Sequence, residues 1–313
     1  MTLAAEAPDL DVFWGFKGPV YGFAHHRGFT HSFLGSVLIS LIVTGFMYLV
    51  WRIRGRRTNR PDLPPRWGLL FGLAYIACLS HILLDYTNNY GVRPLWPFWE
   101  KWYSGNVAFI FEPPMFLLLL AGLVLPALIL RSRPRNRERF ARVALLCVVL
   151  LWVARFYQGT KTVRVLKNQS YNSEAPLRAS AYPYWAPHPS HLIAMHWSGV
   201  VETRNFYIIA PVNPSTEQLD PAQAAVISKP ERTAAIVAAE RSRLGRLYLD
   251  WAGYPLVTED SGGTDTVVFF RDLRFGYSPM PRHSILEAHV TLDQNLNVVG
   301  EAMGDRQQKP PLN

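Results

Sequence analysis

The chain has 313 residues, 49% of them apolar, with a formal net charge of +9 and a mean hydropathy of +0.04. A basic chain raises nucleic acid as a partner. Here, however, much of the excess sits in two short stretches, Arg52 to Arg66 and Arg131 to Arg142, each beside an apolar run. That is the charge pattern of a membrane protein, and no nucleic-acid partner is expected from it.

Residues 1 to 12 have neither the basic start nor the apolar core of a signal peptide, so insertion is expected to begin with the first spanning helix. Four segments approach the length of about 20 apolar residues that crosses a bilayer. They are Phe33 to Trp51, Trp67 to Asp85, Val107 to Leu130 and Phe140 to Tyr157. The third contains Pro113, Pro114 and Pro126, which predicts a kink or a start after Pro114. Cys78 and Cys147 lie inside these runs and read as small packing residues, not as a disulfide or a metal pair.

Arginines crowd the spans on one side, whereas the loop between the second and third spans has only Arg93 and Lys101, offset by Glu100. The positive-inside rule therefore places the 52–66 and 131–142 loops in the cytoplasm, and the amino end, the 86–106 loop and the C-terminal half outside. The expected architecture is an α-helical transmembrane domain over residues 1–157, followed by an extracytoplasmic α+β domain with an antiparallel sheet over 158–313. In the second half, Leu192 to Val201, Phe206 to Val212, Thr266 to Arg271, Ile285 to Leu292 and Leu296 to Val299 read as strands. Pro230 to Trp251 reads as one helix, with Gly253 just past its end.

The chemistry gathers at one end of the spans. His81 and Asp85, four apart near the end of the second span, share a helix face. His26 and His31 precede the first span, Glu112 opens the third, and Asp9 and Asp11 lie upstream. Asp9 and Asp11 alternate, which would put both on one side of an extended segment. Ionisable groups at a membrane edge are costly, so they mark a site. Mixed imidazole and carboxylate ligands suit Zn²⁺ first, with Mn²⁺ or Fe²⁺ as alternatives. Arg27 would pair with Asp85 or bind a phosphate. Gly28 would give a tight turn, and Thr30 or Ser32 would cap the first span.

Other features are blander. His25 reads as a bystander. His188, His191 and His196 lie among prolines, without a carboxylate partner, and read as loop histidines. Asn168-Gln169-Ser170 fits the weak glycosylation pattern. The aromatic 86–105 loop reads equally as an interfacial anchor or a lid over substrate. No phosphate-binding glycine loop, serine-hydrolase elbow or dinucleotide fingerprint is present.

With Pro8-Asp9-Leu10-Asp11, His26-Arg27-Gly28-Phe29-Thr30-His31-Ser32, His81-Ile82-Leu83-Leu84-Asp85, Tyr90-Gly91, Pro97-Phe98 and Phe109-Ile110-Phe111-Glu112-Pro113, the chain resembles the YdjM-type family of bacterial inner-membrane proteins, described as metal-dependent hydrolases. The resemblance covers residues 8 to 130, and Trp197 to Thr203 and Ser242 to Arg246 are similar to the tail of longer members. It departs from the family where only seven residues precede Pro8 and where Glu112 stands for Asp.

The resulting expectation is a hydrolase of the inner membrane. Asp9, Asp11, His26, His31, His81, Asp85 and Glu112 are the candidate metal ligands, and Asp85, Glu112 and Arg27 the candidate catalytic groups. Its partners would be membrane lipids and a small-molecule or lipid substrate carrying an ester or phosphoester. The runner-up is a non-catalytic membrane protein held together by a structural metal or ionic cluster, with a partner-binding outer domain. The residues leave the substrate and the oligomeric state open.

Overall fold

The structure, a computed structural model, describes residues 1–58, 65–109, 112–128, 134–184, 196–219, 221–263, 265–276, 286–304 and 306–308. The chain begins with a short helix α1 (Thr2–Glu6), an eleven-residue 3₁₀ segment (Ala7–Lys17), α2 (Pro19–His25) and a 3₁₀ turn (Phe29–His31). The long apolar helices α3 (Phe33–Thr58) and α4 (Trp67–Thr87) follow. Small residues let these elements approach closely. Ala4, Ala7, Ile39, Ala74 and Cys78 form one buried cluster, and the Cys78 thiol donates to the Ala4 carbonyl at 3.1 Å.

Among the described residues, three helices are long and apolar enough to cross a membrane: α3, α4 and α7 (Pro134–Lys167). The remaining expected span is a shorter apolar run, Pro113–Leu128. It consists of α5 (Pro113–Leu119), a π-helical turn (Leu120–Val124) and α6 (Leu125–Leu128). Pro126 has no N–H to give the Gly122 carbonyl, so the wider turn falls where the regular ladder fails. Gly122 is needed there, since a Cβ at this position would lie 2.1 Å from the Ala144 Cβ.

Helix α7 runs past the expected boundary at Tyr157 without a break. Its final turns enter the C-terminal domain. Leu166 is fully buried, and a Cβ on Gly199 would stand 2.7 Å from its side chain. Trp197 Nε1 donates to Gln158 Oε1 at 3.2 Å.

The C-terminal domain carries two five-stranded antiparallel sheets. The first orders β1 (Arg178–Tyr184), β2 (His196–Glu202), β3 (Phe206–Asn213) and β4 (Gln218–Leu219), with β5 (Ala225–Ser228) also on β3. A turn at 202–205 joins β2 to β3, pairing Glu202 with Tyr207. After α8 (Ala234–Glu240) and α9 (Arg243–Trp251), the second sheet takes β6 (Pro255–Asp260), β7 (Thr266–Asp272), β8 (Ala288–Leu292), β9 (Val298–Met303) and β10 (Arg306–Gln308), in the order β10-β9-β8-β7-β6.

The helix expected over 230–251 is therefore two helices. Thr233 caps the first and Ser242 the second through their hydroxyls. Gly245 permits the corner, because a Cβ there would sit 2.1 Å from the Ala239 carbonyl oxygen. Of the expected strand over 192–201, residues 192–195 lie outside the described residues, as do His188, His191 and Ile285.

The main core of this domain, around Tyr248, Trp251, Phe270 and Val290, also takes in Val20 of α2 and Tyr90 of the loop after α4. The membrane end and the sheet domain thus share one apolar core. Leu166→Ala is expected to destabilise the protein by about 2–5 kcal/mol, read as a lowered midpoint in thermal unfolding of the detergent-solubilised chain.

Candidate metal centre

Four side chains meet at one end of the helical region. His81 and Asp85 come from α4, His31 from the 3₁₀ turn before α3, and Asp9 from the first 3₁₀ segment. One ligand atom from each lies within 4.8 Å of all the others. His31 Nε2 is 3.4 Å from Asp9 Oδ1 and 3.2 Å from Asp85 Oδ2, and His81 Nε2 is 3.3 Å and 3.5 Å from the same two oxygens.

These separations are close to the roughly 3.3 Å edge of a tetrahedron whose centre lies about 2.0–2.1 Å from each corner, the bond length of zinc to imidazole and carboxylate. His31 Nε2, His81 Nε2 and Asp85 Oδ2 are buried, and none makes a hydrogen bond. Buried polar atoms almost always find partners, and these three have only the ion-pair contacts among themselves and Asp9, so they fit a ligand set for a cation. Two carboxylates and two neutral imidazoles also carry the charge that a divalent ion neutralises. His31 is fully buried, while the Asp9 side chain is 54% exposed and opens one flank of the cluster to solvent.

Asp11 supports the group from behind and lies outside the four. Its carboxylate accepts from the Arg27 amide at 2.7 Å and the Thr30 hydroxyl at 3.2 Å. It also contacts His26 Nδ1 at 3.1 Å and His31 Nδ1 at 3.2 Å. A proton on His31 Nδ1 shared with Asp11 leaves the Nε2 lone pair for a metal, the usual carboxylate–histidine–metal arrangement.

Asp9 and Asp11 do not share a side, as an extended segment would require. The segment is 3₁₀-helical, with three residues per turn, and the two carboxylates meet opposite nitrogens of His31, Asp9 at Nε2 and Asp11 at Nδ1. Close contact with His31 and His81 holds the Asp9 carboxyl well below the usual range. Burial would raise Asp11, but His26 and His31 outweigh it and keep that carboxyl low as well. Burial would likewise lower His31, yet Asp11, Asp85 and Asp9 together push it up to about 10. In the metal-free protein His31 therefore carries a proton at neutral pH, which an incoming cation must displace.

Arg27 is bound to the cluster as expected. Its NH2 group donates to Asp85 Oδ1 at 2.7 Å, and NH1 donates to the Gly91 carbonyl at 3.1 Å and to Asn88 Oδ1 at 3.3 Å. The left-handed residue of the turn is Arg27, at φ 51°, and not Gly28. Ser32 caps α3 by accepting from the Gly35 amide at 2.9 Å, while Thr30 turns to Asp11. His25 stays apart, stacked on Tyr21.

Glu112 is not brought to the four. It is 1% exposed, precedes α5, and binds Arg155 of α7 at 2.6 Å while accepting from the Phe109 amide at 3.0 Å. His26 contacts Asp11 instead of the four ligand atoms.

Sequence reading missed the far side of the site. The Tyr90 ring lies 4.8 Å beneath the Arg27 guanidinium, and the Tyr90 carbonyl accepts from Trp251 Nε1 at 3.1 Å. Arg274 donates to the Asn89 and Trp251 carbonyls, both at 2.9 Å. Tyr90-Gly91 was visible as a motif, but nothing in the sequence tied it to residues more than 150 positions away.

An apolar helical region with a His/Asp cluster at one end, joined to an antiparallel sheet domain, defines a membrane protein with a candidate metal centre. The model of the YdjM inner membrane protein family matches residues 1–162, and the chain belongs to that family. It is 30% identical over 125 residues to the uncharacterized protein YfhP of Bacillus subtilis (strain 168), a match that covers 40% of this chain and 35% of that one. No solved structure matches the chain.

Two substitutions separate the roles. Asp11→Asn is expected to weaken metal binding by about 10–100-fold, as removal of such supporting carboxylates does, measured by competition with a chelating dye. Glu112→Ala is expected to leave metal content unchanged but to destabilise the protein by about 3–5 kcal/mol, because Arg155 is left buried and unpaired. Elemental analysis and thermal unfolding of the same sample check both halves.

Proposed function

We propose that this protein is a metal-dependent hydrolase of the bacterial inner membrane. Its centre faces the outer side, and its substrate is an ester or phosphoester of a lipid or envelope component. The carrying observation is the convergence of Asp9, His31, His81 and Asp85, with three of their ligand atoms left without hydrogen-bond partners. Catalytic metal sites keep an open position whereas structural ones close it. The half-exposed Asp9 is the ligand that water could replace, which would leave His31, His81 and Asp85 as the three protein ligands of an open site.

His31, His81 and Asp85, together with Asp9, would hold a divalent ion, zinc by its donor set, which would lower the pKa of a water to about 7 and act as a Lewis acid. The chain's own groups do the rest. Asp11 holds His31 in orientation through Nδ1. Arg27 neutralises and fixes Asp85, and its Nε, buried without a partner, remains able to donate to developing negative charge. Asp9, on the solvent side, lies beside the position that water would take.

The outward orientation rests on the arginine-rich stretches. α3 begins, α4 ends and α7 ends toward the site's end of the bundle, and the two arginine-rich stretches, 52–66 and 131–142, lie toward the other.

Near-stoichiometric divalent metal is expected in the detergent-purified protein and should be lost in His81→Ala. Hydrolysis of ester or phosphodiester lipids should fall with it. Unchanged metal and unchanged hydrolysis in both His81→Ala and Asp85→Ala would overturn the assignment. A reporter fused after Gly262 is expected to be active only outside the cytoplasm, and a cytoplasmic signal would reverse the orientation.

A further inference from the structure

We propose that a groove next to the turn that carries His31 binds one acyl chain of a glycerolipid whose ester or phosphoester is presented to the metal centre. The proposal rests on the hydrolase reading above. The groove is a cavity of about 650 Å³ between the outer turns of α3, Tyr75 of α4 and the loop 94–103. Phe33, Leu34, Val37, Leu95, Trp96 and Phe98 form most of its wall. Its size lies within the roughly 300–1,000 Å³ of small-molecule sites. Such sites normally place a few polar groups to orient their ligand, but here the wall is almost wholly hydrocarbon and aromatic. The occupant it suits is a hydrocarbon chain with its polar part elsewhere.

Three observations identify that chain as a bilayer lipid's. The groove is continuous with the bilayer-facing surface of a spanning helix: Leu34 of its wall is exposed, as are Leu38, Leu41 and Ile42 further along α3. Its depth is also right. Phe33 is two residues past His31, and Tyr75 is six residues before His81, roughly 9 Å further into the span at 1.5 Å per residue. A lipid with its linkage at the level of His31 and His81 would run its chain downward along this wall.

Finally, the rim is built on the metal-bearing segment. Trp96 packs edge-on against Phe29 at 5.6 Å, and the Phe33 amide donates to the Pro94 carbonyl at 2.9 Å. Phe98, 84% exposed, and Trp99, 56% exposed, flank the mouth as residues that favour the membrane–water interface.

The test uses the full chain in phosphatidylcholine nanodiscs containing a phospholipid with a photoreactive diazirine in mid-chain. Labelled peptides are mapped by mass spectrometry. Several-fold more label is expected on residues 33–37 and 94–103 than on the exposed α7 face at Leu145, Leu146 and Val149. Val37→Trp, which fills the groove, is expected to abolish that excess with metal content unchanged.

Equal labelling of the groove and of α7 would overturn the proposal, as would crosslinks from the groove to a second polypeptide. Labelling is repeated on His81→Ala. Enriched label there, beside a wild type that hydrolyses nothing, keeps the groove and rejects the hydrolase. Metal-dependent hydrolysis whose preference for long over short acyl chains survives Val37→Trp rejects the groove and keeps the hydrolase.

Discussion

The buried carboxylate of Asp11, 2% exposed, is the group around which the membrane end of this protein is folded. A carboxylate removed from water costs several kcal/mol unless it is fully satisfied. Asp11 meets that demand by gathering the Arg27 amide, the Thr30 hydroxyl and the imidazoles of His26 and His31. In doing so it dictates the path of the whole His26 to His31 turn. It also holds Arg27 in a left-handed backbone conformation that a non-glycine residue adopts only at a cost of order 1–3 kcal/mol. From that position the Arg27 side chain reaches Asp85 on another helix, and His31 presents its second nitrogen to His81 and Asp9.

The sheet domain continues the same chain of dependence. Tyr90 lies against Arg27 on one side and against Trp251 on another, and Arg274 clamps the carbonyls of Asn89 and Trp251. Asp272 fixes Arg274 in turn, accepting from its Nε at 2.8 Å. The guanidinium that sets Asp85 is thus seated on an aromatic platform whose other face belongs to a domain far along the sequence. Charge pairing inside the membrane end and apolar packing outside it meet at Tyr90.

Much of this was legible in the residues themselves. The i, i+4 spacing placed His81 and Asp85 together because both lie on one regular helix, and Ser32 showed as a cap by its position before an apolar run. The two arginine stretches marked one end of the bundle without any knowledge of packing. What escaped were features decided by partners distant in sequence or by unusual backbone. Glu112 looked equivalent to the other carboxylates, yet Arg155 on α7 claims it. Asp9 and Asp11 read as one extended pair, whereas 3₁₀ geometry separates them. The π-helical turn arises from Pro126 together with a close contact at Ala144 that only the folded state reveals. The break between α8 and α9 turned on Ser242 and Gly245, residues that an uninterrupted helical pattern absorbs at small cost.

Helix α7 has 34 residues, about 51 Å at 1.5 Å per residue, against a hydrocarbon layer of about 30 Å. Its surplus length is not a tether but a mast. Gln158, Gly159 and Leu166 are packed into the first sheet before the helix ends. The first sheet is therefore seated directly on the end of the anchor, with no linker between the two.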